Sequence, residues 1–255
     1  MGRMDGKVAF ISGAGNGIGR ATAIRFAEEG AKVVIAEIDP EAGASAERMV
    51  KDAAGNTGGD GLFIETDITD HDSTKAAIAA TVEHFGKLTV LHNNAGGSTM
   101  DDGPVTEAPA EEFWRVIKLD LFGTFLGSKY GIPEIIKAGG GSVINMSSNL
   151  ALMGQGGRDC YTAAKGAIAA MTRSMAVEYA GDKVRVNAIA PSVTQTDRVK
   201  KFLEADPTII QQGTRHLLGL GEPIHIANMA LYLASDEAAL TTGQIFPVDS
   251  GITIS

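Results

Sequence analysis

The sequence predicts an α/β protein: a doubly wound parallel sheet of about seven strands with helices on both faces. Three observations carry that prediction. Short apolar runs alternate with longer helical patterns along the whole chain, the runs are continuous rather than alternating apolar and polar, and a glycine-rich turn follows the first of them. A strand that is apolar on both sides belongs to a parallel sheet covered on both faces, and such a sheet binds its ligand at the carboxyl ends of its strands. A (β/α)₈ barrel shows the same alternation, but the glycine turn in the first unit favours the open sheet.

Lys7–Ser12 is the first strand, followed by the turn Gly13-Ala-Gly-Asn-Gly-Ile-Gly19 and a helical pattern (Ala21, Ile24, Phe26, Ala27) that stops at Gly30. Lys32–Glu37 is the second strand, and a helix runs from about Pro40 to Ala54. Gly61–Asp67, a helix from about His71 to Phe85, and the strand Leu88–Asn94 continue the pattern. After a loop at 96–109, one long helical stretch runs from about Glu111 to Lys137, with a break expected near Pro133. Ser142–Ser147 is a strand, the helix around Tyr161 extends to about Tyr179, and Val184–Ala190 is the next strand. Residues 192–221 are irregular, with a short helix near Val199–Leu203, and read as a substrate lid. A helix at Pro223–Ala234 and the strand Gln244–Asp249 complete the pattern. No linker or composition break divides residues 1–255, so one nucleotide-binding domain is expected.

Formal net charge is −9, from 22 Lys and Arg against 31 Asp and Glu, which argues against nucleic acid or an anionic membrane as partner. No stretch is long and apolar enough for a membrane span, and no basic-then-apolar leader opens the chain. A single cysteine, Cys160, rules out an internal disulfide. A cytoplasmic protein is expected. The histidines have no metal-like spacing, so His71, His84, His92, His216 and His225 read as structural or surface residues and no metal is expected.

Glycines between a strand and a helix let the backbone approach a pyrophosphate and aim the helix N-terminus at it. Here the spacing is Gly13-x-x-x-Gly17-x-Gly19, because Ile18 stands where G-x-G-x-x-G would have its last glycine; Asn16 adds an uncharged polar side chain. About 20 residues on, Glu37 ends the second strand, where a carboxylate accepts ribose hydroxyls and repels a 2′-phosphate. That predicts NAD over NADP. Tyr161 and Lys165 lie four apart in a helical pattern, hence on one helix face, where an ammonium favours a phenolate and so a base near neutral pH. Spacing alone is weak support, since any helix can carry such a pair.

Taken together, these residues resemble the short-chain dehydrogenase/reductase family over essentially the whole chain. Ser12–Gly19 is similar to its T-G-x-x-x-G-x-G, Asn93-Asn94-Ala95-Gly96 to its N-N-A-G, Tyr161-x-x-x-Lys165 to its Y-x-x-x-K, and Pro191–Thr196 to its P-G-x-x-x-T. Ser148, thirteen residues before Tyr161, stands where the family has its catalytic serine, and Asp67 where it contacts adenine. The resemblance implies a Rossmann fold and NAD held by Gly13, Asn16, Gly17, Ile18, Gly19, Glu37, Asp67, Ile68, Asn94, Ala95, Gly96, Pro191, Val193 and Thr196. It implies that Tyr161 exchanges the alcohol proton, that Ser148 hydrogen-bonds the same oxygen, and that Lys165 binds the nicotinamide ribose. A homotetramer or homodimer is implied too.

Two positions depart from the pattern. Asp120 stands where many members have a catalytic asparagine. A carboxylate only accepts hydrogen bonds, so Asp120 is expected to hold the relay water beside Lys165 and to favour its charged form, unless it turns away. Ser192 replaces a glycine, an exchange expected to be harmless. The substrate segments, 97–100, 150–155 and 193–218, suggest a neutral, moderately apolar secondary alcohol or ketone, cyclic in the favoured case. The rival readings are an NADPH-dependent carbonyl or 3-oxoacyl-thioester reductase and a catalytically silent NAD-binding regulator.

Overall fold

The computed structural model describes residues 2–205 and 215–255. Seven strands form one sheet: β1 (Val8–Ser12), β2 (Lys32–Glu37), β3 (Asp60–Glu65), β4 (Val90–Asn93), β5 (Gly141–Met146), β6 (Val184–Pro191) and β7 (Ile245–Val248). Every pairing is parallel and the order is β3-β2-β1-β4-β5-β6-β7. The order reverses between β1 and β4. A crevice opens there, outside the carboxyl ends of the strands.

Successive side chains of a strand point to opposite faces. In β1, Ala9 and Ile11 pack with Phe26 and Leu231, whereas Phe10, between them, packs with Ile132 and Ile135. Helices α1 (Gly17–Glu28), α2 (Pro40–Ala54) and α8 (Pro223–Ala234) cover the first face. α3 (His71–Phe85), α5 (Gly123–Lys137) and α6 (Asp159–Glu178) cover the second. The central strands are mostly apolar because neither face meets water, and the polar side chains they carry, such as Asn93 and Asn145, are hydrogen-bonded to one another. Phe10 is 1 % exposed, and trimming it to alanine would cost about 3–5 kcal/mol in lost burial and cavity.

Local signals set the helix ends. Asp39 caps α2 by accepting from the Glu41 and Ala42 N–H groups, with Pro40 in the first turn, and Asp70 caps α3 through the Ser73 N–H.

The long helical stretch differs from expectation. It runs unbroken through Pro133, and the Lys129 carbonyl left without its usual donor belongs to an exposed residue. The irregularity comes earlier. α4 (Ala110–Val116) passes into a π-helical turn (Ile117–Phe122) before α5, and Asp120 lies inside that turn. The Thr124 hydroxyl donates to the Asp120 carbonyl at 2.7 Å, satisfying a main-chain group there.

The helix expected near 199–203 is α7 (Asp197–Ala205), and the rest of the predicted lid between 206 and 214 lies outside the described residues. The two ends of that excursion are fastened together: Thr194 bridges Gly221, Gln195 N–H donates to the Gly221 carbonyl at 2.8 Å, and Gly221 N–H to the Val193 carbonyl at 3.1 Å. No helix among the described residues is long and apolar enough to cross a membrane.

Candidate active site

A cleft of about 850 Å³ lies along the carboxyl ends of the strands. Its walls include Gly13, Asn16, Gly17, Ile18, Glu37, Asp67, Ile68, Asn94, Ala95, Gly96, Ser148, Tyr161, Lys165, Pro191, Val193 and Thr196, so nearly all the residues singled out by the sequence meet in one place. Two do not line it. Gly19 faces back into the protein, where a Cβ would run into the Gly13 carbonyl and the Asn94 side chain. It permits close packing rather than contact with a ligand. Asp120 stands behind Lys165.

At one end, Gly13 and Gly17 have positive φ angles of 64° and 54°, a conformation glycine adopts without strain. The turn is riveted to β4, because Asn94 Nδ2 donates to the Ser12 and Gly13 carbonyls at 2.9 and 3.1 Å. The Asn94 and Ala95 N–H groups donate to Ser12 Oγ at 3.0 and 3.1 Å. Asn94 therefore supports the turn from behind. The Glu37 carboxylate accepts from the N–H groups of Gly15, Ile38 and Asp39 at 3.0, 3.0 and 3.3 Å. It is a fixed negative charge facing the cleft. Asp67 lies beyond the end of β3, braced by the Thr69 N–H and hydroxyl at 2.8 and 2.7 Å.

At the other end, α6 presents Tyr161 and Lys165 one turn apart, with Lys165 Nζ 5.4 Å from the phenol ring centroid. Nζ donates to the Met146 carbonyl at 2.9 Å and pairs directly with Asp120 Oδ1 at 2.8 Å. Burial pushes the ammonium pKa down, but the charges of Asp120 and Tyr161 hold it above the ordinary lysine value. Asp120 is fixed from its other side by the Gly97 N–H, 3.1 Å from each carboxylate oxygen. Asp120 and Lys165 therefore touch directly, with the carboxylate carried by the π-helical turn.

Ser147 and Ser148 point apart, as adjacent residues at a strand end should. Ser147 Oγ donates to the Lys165 carbonyl at 3.0 Å. Ser148 Oγ donates to Asn149 Oδ1 and accepts from the Leu150 N–H, both at 3.2 Å. Cys160 is buried, and burial raises its thiol pKa, so it packs rather than reacts.

Two features escaped the sequence reading. Asp102, on the loop before α4, accepts the Cys160 and Tyr161 N–H groups at 3.1 and 3.0 Å, capping α6 across 58 and 59 residues of chain. No local pattern marks such a cap. His216, read as surface or structural, lines the cleft, 5 % exposed, its Nε2 2.9 Å from Ser192 Oγ. The hydroxyl that replaces the expected glycine is thus engaged. Arg158 and Arg198 also line the cleft. Among the described residues no group of His, Cys, Asp and Glu has the arrangement of a metal site.

Parallel sheet, glycine turn, acidic strand end and Tyr–Lys helix together define a dinucleotide-dependent oxidoreductase. A family model described as Enoyl-(Acyl carrier protein) reductase matches residues 13–253, and the chain belongs to that family, within the short-chain dehydrogenases/reductases. It is 41% identical over 254 residues to the 2,5-dichloro-2,5-cyclohexadiene-1,4-diol dehydrogenase LinX of Sphingobium indicum, covering 99% of this chain and 98% of that one. It is 38% identical over 247 residues to the cis-4-hydroxycyclohexanecarboxylate dehydrogenase of Sinomonas cyclohexanicum, covering 97% and 96%. The carveol dehydrogenase of Mycobacterium avium, solved in complex with NAD, superposes with a TM-score of 0.92 at 31% identity over 100% of both chains.

Proposed function

We propose that the chain is an NAD-dependent oxidoreductase that interconverts a secondary alcohol and its ketone, the carbinol carbon lying on a ring, with Tyr161 as general acid and base. The observation that carries this reading is the buried arrangement of Lys165 beside Tyr161, tied to Asp120 and to the Met146 carbonyl at the cleft floor.

In the oxidative direction the alcohol O–H proton passes to the Tyr161 phenolate, the carbinol C–H leaves as hydride, and the C–O bond becomes C=O. Nicotinamide supplies the hydride acceptor when bound. Ser148 hydrogen-bonds the reacting oxygen, and Lys165 keeps a positive charge beside the phenol. Asp120 keeps Lys165 charged and in place.

The cleft suits a dinucleotide. The N-terminus of α1, reached through a turn in which Gly13 and Gly17 have positive φ, faces the phosphates. Glu37 and Asp67 serve the adenosine, and Pro191, Val193 and Thr196 the nicotinamide. The fixed carboxylate of Glu37 disfavours a 2′-phosphate, which supports NAD over NADP; a relative solved with NAD agrees. The two ring-alcohol dehydrogenases among the relatives support the substrate class. Trp114, Phe122 and Phe125 stand exposed along α4, the π-helical turn and α5, which supports an assembly of identical subunits, a homotetramer or homodimer.

The test is a panel of cyclic secondary alcohols read by NADH absorbance, with NAD and NADP side by side. Wild type should favour NAD, and Tyr161→Phe should lose at least ~10²-fold in turnover while binding NAD as before. Wild-type-like turnover by that variant, or equal rates with NADP, would remove the reading.

A further inference from the structure

We propose that the substrate carries a carboxylate, held by Arg158 and Arg198 at the mouth of the reacting end of the cleft. This rests on the ring-alcohol reading and narrows it. It also replaces the expectation of a neutral substrate, made before the fold showed which basic side chains reach the pocket.

The two arginines come from different elements. Arg158 immediately precedes α6, three residues before Tyr161, and Arg198 lies in the first turn of α7. Each fastens one guanidinium nitrogen to the strip of chain after β4: Arg158 Nη1 donates to the Thr99 carbonyl, and Arg198 Nη2 to the Gly96 carbonyl at 3.5 Å. Both line the cleft. The Arg198 guanidinium lies against Gly97, whose N–H holds Asp120 beside Lys165, which sets it toward the reacting end rather than the adenosine end.

Their remaining donors decide the matter. A guanidinium has five N–H groups in a planar fork matched to a carboxylate. Among the described residues, Arg158 and Arg198 each spend one nitrogen on a carbonyl, and neither has a carboxylate within ion-pairing distance. Arg115, on α4 and bonded to the same strip, shows the alternative. Its Nε and Nη2 lie 2.6 and 2.8 Å from the two oxygens of Glu112, and its third contact is the Gly97 carbonyl. Had the chain needed only to tether this strip, a carboxylate partner like Glu112 would have completed the other two.

The acids on the cleft wall lie elsewhere. Glu37 and Asp67 belong to the far end, and Asp197 is 3.8 Å from Arg20. Lys201 adds a further cation to the lid side. An anionic group on the substrate would meet two guanidinium forks held by the same strip of chain, with none of these wall carboxylates beside them. Bidentate recognition would give direction as well as affinity.

The experiment uses the full chain with NAD. A hydroxycyclohexanecarboxylate and its methyl ester are compared as substrates for wild type, Arg158→Met and Arg198→Met. In wild type the acid should exceed the ester in kcat/KM by about tenfold or more, as charge-assisted hydrogen bonds warrant. Each Met variant should erase most of that ratio. Binding of cyclohexanecarboxylate and of cyclohexanecarboxamide to the NAD-loaded protein is measured by calorimetry alongside. The carboxylate should bind wild type at least about tenfold more tightly than the amide and lose that margin in the variants. If neither alcohol turns over, the ring-alcohol reading fails, and the calorimetry still decides the anion site. An acid-to-ester ratio near one, equal binding of carboxylate and amide, or variants that weaken NAD binding while keeping the ratio would overturn the proposal.

Discussion

Lys165 Nζ and Asp120 Oδ1 stand 2.8 Å apart with almost no water access, at 3 % and 0 % side-chain exposure. The pair works against the desolvation of the ammonium and keeps it charged to higher pH than burial alone would allow. In Asp120→Asn that support is lost, and the lysine loses its proton at lower pH. The alkaline limb of the kcat/KM profile should therefore move to lower pH. Asp120→Ala, which strands a buried cation, should also cost about 3–5 kcal/mol in stability by denaturant titration. An unmoved alkaline limb in the Asn variant would show that Lys165 does not control it.

Asp102 reaches across the protein to cap the helix that carries Tyr161. Asp102→Ala should lower stability by about 1–2 kcal/mol, the usual worth of a lost cap. Because one of the freed N–H groups is that of Tyr161, turnover should fall further than melting predicts, by about tenfold under conditions where the variant is fully folded. Steady-state rates well below the melting transition measure this, and a variant with altered Tm but unchanged kcat would reduce Asp102 to a structural cap.

His92, in β4, is completely buried. Desolvation, opposed only by its contact with the Ile144 carbonyl at 3.1 Å, pushes its pKa from 6.5 down to about 4. The unfolded chain thus takes up the proton first as pH falls. The stability tied to a neutral His92 is complete above pH 6.5 and lost progressively on the way down to pH 4, roughly 3 kcal/mol at 1.36 kcal/mol per pKa unit. Urea titrations at neutral and acid pH should show wild type losing that much more than His92→Leu. Parallel curves for the two proteins would rule it out.

Glu37 fixes the glycine turn as well as guarding the ribose site, since Gly15 donates to its carboxylate. Glu37→Ala should reduce the NAD-over-NADP ratio of kcat/KM by about tenfold or more, equivalent to roughly 1.4 kcal/mol of lost discrimination. An unchanged ratio in initial rates would mean that cofactor choice is made elsewhere.

The fold was legible because the forces that make it are short-ranged in sequence. Central strands such as Lys32–Glu37 had to be apolar on both faces, and turns such as Gly13–Gly19 had to spare side chains. The cleft was legible as well, since a parallel sheet sends the ends of its strands to one edge. What escaped notice depends on contacts between distant segments. Nothing near Asp102 marks it as the cap of a helix over fifty residues away, and His216 reads as one more histidine until the chain brings it to Ser192. Arg158 and Arg198 could be read as near the substrate loops, but that they line the cleft is decided only when α6 and α7 are placed. Pro133 misled in the other direction: a helix tolerates a proline when the unpaired carbonyl belongs to an exposed residue.

The π-helical turn at Ile117–Phe122 also changes the phase of the helix that contains it. One residue added to an α-helical turn rotates everything beyond it by roughly 100°. Before the turn, Phe113 and Val116 face Cys160 and Ala164 of the Tyr161 helix; after it, Ile132 and Ile135 face the sheet. A uniform helix could not aim both stripes correctly. The inserted residue lets one continuous rod grip two surfaces, with Asp120 at the slip between them. Deleting Leu121 would restore an even winding, and one of the two stripes would have to turn toward solvent.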